Sequence, residues 1–163
     1  MIHKLTDRVW FGDARAPMEA GNQVCAVLNV AHVIRRKWDY DLNAIPHGVA
    51  YFRLASPDRE PLTLRYLERF LAVVRLLENL NRETKLPVLT HCQFGGHRGP
   101  ASAIATAFLF EDNSLSNLKR LDARAFEMTG KRPITDGHRG RYYSDIYAAM
   151  ESLATKGKLP GGL

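Results

Sequence analysis

Cysteine is scarce in this 163-residue chain: Cys25 and Cys92 are its only two. Two cysteines make no disulfide framework, and a free thiol suits a reducing compartment, so a cytoplasmic setting is expected. No apolar run approaches the roughly 20 residues of a membrane span, so no membrane association is expected. The opening Met1-Ile2-His3-Lys4-Leu5-Thr6-Asp7 lacks the apolar core of a secretory signal. Internal repeats and low-complexity linkers are also absent. One domain over residues 1–155 is therefore expected, with residues 156–163, which hold three glycines and a proline, as a flexible tail. There is no nucleic-acid module and no aromatic–basic repeat, so nucleic acid is not an expected partner. A monomer is expected.

What is present is ordinary for a globular protein, with 45% hydrophobic and 25% charged residues. The net charge is +6, and the excess is uneven. From Ser116 onward nine Lys or Arg stand against five Asp or Glu. A basic face suits an anionic substrate, and a solvated helix face is the plainer alternative. Residues 24–30 and 49–54 read as buried strands, short and rich in β-formers. Residues 64–80 read as a helix, with Leu67, Phe70, Leu71, Val74 and Leu77 on one face and Thr63 as N-cap. Leu115, Leu118, Leu121 and Ala125 mark another helix, closed near Gly130. Tyr143, Ile146, Tyr147, Met150 and Leu153 mark the last. Strands separated by helices predict an α/β fold with a mainly parallel central sheet flanked by helices.

The most informative stretch is His91-Cys92-Gln93-Phe94-Gly95-Gly96-His97-Arg98. An apolar run, Leu86-Pro87-Val88-Leu89-Thr90, precedes it. A helix-compatible run from Ala101 to Phe110 follows. That order predicts a strand, a tight loop and a helix N-terminus, at a carboxyl strand end where such sheets bind ligands. Loop N–H groups and a helix end converge on an anion. Arg98 can grip that anion with two parallel hydrogen bonds, and Gln93, Phe94, Gly95, Gly96 and His97 line the cradle. Cys92 at its base is expected as thiolate, the nucleophilic form. A nucleophile beneath a phosphate cradle implies phosphoryl transfer to sulfur. Cys25 has Ala31 where an arginine would be needed, so only Cys92 qualifies.

The leaving oxygen needs a proton. Asp58 is the candidate donor, in the turn-rich Ser56-Pro57-Asp58-Arg59-Glu60-Pro61 directly after a strand. Glu60 is a weaker alternative, and Asp39 and Asp41 lie farther from any expected carboxyl strand end. His91 is expected to support the loop rather than act as base.

His91-Cys92-x-x-Gly95-x-x-Arg98 resembles the signature of the cysteine-dependent protein tyrosine phosphatases, and the short chain points to their dual-specificity branch. Val9-Trp10-Phe11-Gly12-Asp13, Val24-Cys25-Ala26-Val27-Leu28-Asn29-Val30, and Tyr51-Phe52-Arg53-Leu54 followed by Asp58 resemble successive parts of that family, as does Lys131-Arg132-Pro133. The resemblance spans roughly residues 5–153. It implies a metal-independent and cofactor-independent phosphatase of phosphotyrosine, with phosphoserine and phosphothreonine as further substrates. It also implies a phosphocysteine intermediate, with Asp58 as general acid. In this family the stretch from Ala31 to Gly48 borders the pocket, and here it contains Arg35-Arg36-Lys37-Trp38-Asp39-Tyr40-Asp41. One position departs from the pattern. Gly99 stands where the family has Ser or Thr, a hydroxyl that helps the sulfur leave, so a slow second chemical step is expected. Ser102, one helical turn on, is a possible substitute whose side chain is expected to point along the helix. Two other readings stay open: a phosphate-binding module with negligible turnover, and the same chemistry on a phosphoinositide, nucleotide or RNA phosphate. Against the lipid, the loop interior has no lysine.

Overall fold

The structure, a computed structural model, describes residues 1–31, 45–56, 60–92, 98–130 and 141–160. Its frame is a five-stranded sheet with strands β1 (Ile2–Lys4), β2 (Val9–Gly12), β3 (Ala26–Asn29), β4 (Ala50–Arg53) and β5 (Val88–His91). Their order across the sheet is β1-β2-β5-β3-β4. Only the β1–β2 pair is antiparallel, so the sheet is mainly parallel. Every residue of β2, β3 and β5 is buried, as strands covered on both faces must be. β4 at one edge is only half-buried.

Among the described residues, five α-helices flank the sheet: α1 (Ala16–Ala20), α2 (Leu64–Thr84), α3 (Arg98–Phe110), α4 (Leu115–Thr129) and α5 (Arg141–Lys156). Helix α3 is the central one. Ten consecutive residues, Gly99 to Phe108, are buried, so it shows no polar face. It packs against α4, α5, β2 and β5. The other long helices are amphipathic, and their ends follow local chemistry. Thr63 accepts a hydrogen bond from Tyr66 N–H at 3.1 Å, and Ser114 one from Asn117 N–H at 3.2 Å. Gly130 closes α4 at φ 67°, its N–H on the Phe126 carbonyl at 2.7 Å.

Helix α2 runs four residues past the expected Leu80, to Thr84. Asn81 is the reason. Helix propensity counts Asn as weak, but here its side chain is buried and used in full. Its amide donates to the Leu86 carbonyl at 2.9 Å, and its oxygen accepts from Arg8 Nε at 2.6 Å. Arg8 also donates to the Phe110 carbonyl at 3.0 Å and lies over the Phe110 ring, 4.6 Å from its centroid. One guanidinium thus ties the entry of β2 to the ends of α2 and α3.

Two elements, β1 and α1, have no counterpart in the sequence reading. At three and five residues they are too short to show a period. The expected fraying from Lys156 is corrected as far as Leu159. Gly157 turns at φ 66°, Ser152 donates to the Lys158 carbonyl at 2.8 Å, and Leu159 is buried in the core. Among the described residues no helix is long and apolar enough to cross a membrane.

Arg8→Met is expected to lower unfolding stability by about 1–3 kcal/mol, because it strands a buried Asn81 oxygen and a helix-end carbonyl. A lower urea midpoint at unchanged m-value is the readout.

Candidate active site

All four parallel strands end on one edge of the sheet. Gly12, His91, Asn29 and Arg53 share one level of the register. Cys92 is the first residue beyond β5, the middle strand, and is 3% exposed. Arg98 is the first residue of α3 and is partly buried. The strand before Cys92 and the helix after the motif, both read from the sequence, are therefore observed. Gln93, Phe94, Gly95, Gly96 and His97 lie outside the described residues. So do Trp38, Asp39, Asp41, Asp58, Arg132 and Pro133. Glu60 is described and exposed.

The first turn of α3 is pressed onto the strand ends. A Cβ at Gly99 would stand 3.2 Å from the Gly12 carbonyl oxygen, 3.3 Å from Cys92 N and 3.4 Å from His91 Cα. Glycine permits this approach, and all three neighbours are backbone. Thr90, inside β5, donates its buried hydroxyl to the Gly99 carbonyl at 2.8 Å. A single side chain thereby fixes Arg98's helix to Cys92's strand. The sequence reading left Thr90 as a strand residue. Its only local signal is a hydroxyl two positions before the cysteine.

His91 is fully buried beside Cys92. Burial depresses its pKa to about 4, so the imidazole is neutral near pH 7. Its Nδ1 lies 3.3 Å from the Cys92 carbonyl. A carbonyl only accepts, so Nδ1 carries the proton in that contact. His91 then donates to the Cys92 carbonyl.

On the flank, Asn29 ends β3. Its oxygen accepts from Ala31 N–H at 2.9 Å and its amide donates to the Tyr51 hydroxyl at 2.9 Å. Ser56 donates to the Val30 carbonyl at 2.6 Å. The chain toward Asp58 thus leaves β4 at the same sheet edge as Cys92, two strands away, or about 10 Å at ordinary strand spacing.

Ser102 does not point into solvent or toward a helix carbonyl. Its hydroxyl lies 3.0 Å from the Tyr142 hydroxyl, which lies 2.8 Å from that of Tyr66. Burial raises the Tyr142 pKa to about 12, so this phenol stays neutral.

Cys25 stands at the other end of the sheet. Its N–H donates to the Pro87 carbonyl at 2.9 Å, before β5 begins, and its thiol to the Leu86 carbonyl at 3.3 Å. Cys92 is five residues farther along that strand, about 16 Å at ordinary strand rise. A disulfide needs Cα atoms within about 7 Å. The fold therefore keeps the two thiols apart, and burial raises the pKa of Cys25.

The chain has the fold of solved dual-specificity phosphatase structures. No protein-family model matches the sequence, and no curated protein is similar to it. Solved structures are. A structure titled Tk-PTP in the active form superposes with TM-score 0.65 at 18% identity, over 94% of this chain and 95% of that one. Human DUSP28 gives 0.64 at 18% identity over 93% and 94%. A mouse putative dual specificity phosphatase, complexed with zinc tungstate, gives 0.65 at 18% identity over 98% and 92%.

Protonating His91 should unfold the site. The unfolded histidine takes its proton near pH 6.5 and the folded one only near 4, so the unfolded state binds more protons in between. Stability is full above pH 6.5 and falls as pH drops toward 4, by up to about 3 kcal/mol. Urea denaturation across that window should show the fall, and His91→Gln should flatten it.

Proposed function

We propose that the protein is a phosphatase that hydrolyses phosphotyrosine, with phosphoserine and phosphothreonine as further substrates, through a phosphocysteine intermediate. One observation carries the reading. Cys92 directly follows the central strand and Arg98 opens the buried helix, six residues on, in a chain with the dual-specificity phosphatase fold.

Cys92 thiolate attacks phosphorus. Loop N–H groups, the α3 N-terminus and Arg98 stabilise the equatorial oxygens in a dry setting. Asp58 protonates the leaving oxygen as the P–O bond breaks. Water then attacks the phosphocysteine and gives its proton to Asp58, and the P–S electron pair returns to sulfur. Arg98 and the backbone dipoles supply the positive charge, so the reading invokes no metal or cofactor. Phosphorylated proteins or other phosphomonoesters are the partners.

The test is hydrolysis of p-nitrophenyl phosphate in EDTA. Wild-type turnover should persist and vanish in Cys92→Ser. Asp58→Asn should lose about 10²-fold or more, the range of general-acid contributions. A Cys92→Ser enzyme that still turns over sinks the reading.

Gly99 adds a kinetic expectation. Without a hydroxyl there, breakdown of the phosphocysteine should limit turnover, and rapid quench should show a burst. Gly99→Ser supplies the hydroxyl but also a Cβ against three backbone atoms. Gly99→Ala is the matched control, and both should lose about 1–3 kcal/mol of stability from overpacking. Serine should break down the intermediate faster than alanine at equal stability. Equal rates, with no burst in wild type, would remove this expectation. A phosphate-binding module would instead bind phosphopeptide and show no turnover at all.

A further inference from the structure

Helix α5 begins far from Asp58 in sequence, yet its first two turns are tied to both flanks of the segment that carries it, through Tyr66 on one side and directly on the other. Upstream, the Tyr66 hydroxyl donates to the Leu54 carbonyl at 3.3 Å. Tyr66 has one proton, so in its 2.8 Å contact with Tyr142 it accepts, and Tyr142 donates. Tyr142 then accepts from Ser102 at 3.0 Å. Three hydroxyl protons thus run in one direction, from α3 to the exit of β4. Downstream, Leu62 N–H donates to Asp145 Oδ2 at 3.0 Å. Tyr142 and Asp145 are three residues apart, neighbours on one helix face. The upstream chain is dry, with Ser102 at 0%, Tyr142 at 1% and Tyr66 at 8% exposure, so its bonds are strong and directional.

We propose that the start of α5, through Tyr142 and Asp145, ties the two flanks of the acid-bearing segment, Leu54 and Leu62, to the phosphate-loop helix, with Tyr142 as a positioning residue for proton donation. The inference rests on the phosphatase reading, with Asp58 as acid and Arg98 on α3. Ser102 sits one turn from Arg98, so the Tyr142 phenol, linked through Tyr66 to Leu54, also holds the helix that carries the guanidinium. Gly99 lacks a hydroxyl, and the hydroxyl at Ser102 serves position, not sulfur.

Removing one oxygen tests this. Tyr142→Phe keeps the ring, whose edge contact with Tyr66 is at 5.8 Å. The comparison is kcat/KM on two substrates. Phenyl phosphate has a poor leaving group and depends on the acid, whereas p-nitrophenyl phosphate depends on it less. Tyr142→Phe should lose about tenfold on the first and under about twofold on the second, since only acid catalysis is displaced. In an Asp58→Asn background it should cost nothing further, the non-additivity of residues acting through one group. Asp145→Ala, which frees the downstream end, should show the same selectivity and carries the test if Tyr142→Phe folds poorly. Equal losses on both substrates, or losses additive with Asp58→Asn, would overturn the proposal. Full activity in Asp58→Asn would instead sink the acid assignment on which it stands, and turnover in Cys92→Ser the phosphatase reading itself.

Discussion

The close approach of α3 to the ends of β2 and β5 sets the geometry of everything around it. Gly99 lies where any side chain would stand 3.2–3.4 Å from three backbone atoms. Glycine lets the helix axis aim at the carboxyl end of the central strand, and Thr90 holds it there. Because α3 is buried on every side, it cannot shift without moving α4, α5 and the sheet. Packed interiors resist such movement at near-crystalline density. The partial positive charge of the helix end is therefore pinned next to Cys92. In the proposed reaction such a fixed dipole would need no reorganisation when charge develops, which is where electrostatic stabilisation gains most.

Four polar groups inside this core, Asn81, Thr90, Asn29 and Ser102, bond from one element to another. A buried polar group is costly unless paired, so each one selects a single arrangement of its neighbours. At Asn81 the arrangement joins three elements away from the site. At Thr90 and Ser102 it joins the elements that carry the candidate chemistry.

How legible this was depended on range. The stripe Leu67, Phe70, Val74 and Leu77, the Thr63 cap and the Gly130 cap rest on contacts within a turn or two, and each was readable. The strand ending at His91 and the helix opening at Arg98 were readable because they lie close together in sequence. Thr90, Tyr142 and Asp145 were not. Their partners lie 9, 40 and 83 residues away, and nothing local separates Tyr142 from any other core aromatic. The extension of α2 to Thr84 escaped for the same reason, since Arg8 sits 73 residues before Asn81. Leu159 escaped because a tail of glycine and lysine gives no period to read.

The parallel pairing of β3 with β5 puts the two sulfurs at opposite ends of the sheet. An oxidant that converts Cys92 to its sulfenic acid therefore finds no second thiol of the same chain within reach. The usual refuge, an internal disulfide, is closed by the register of two strands rather than by any lack of cysteine. Repair must come from outside, by a small thiol diffusing to a nearly buried sulfur. The recovery of the oxidised protein is thus tied to the thiol pool around it.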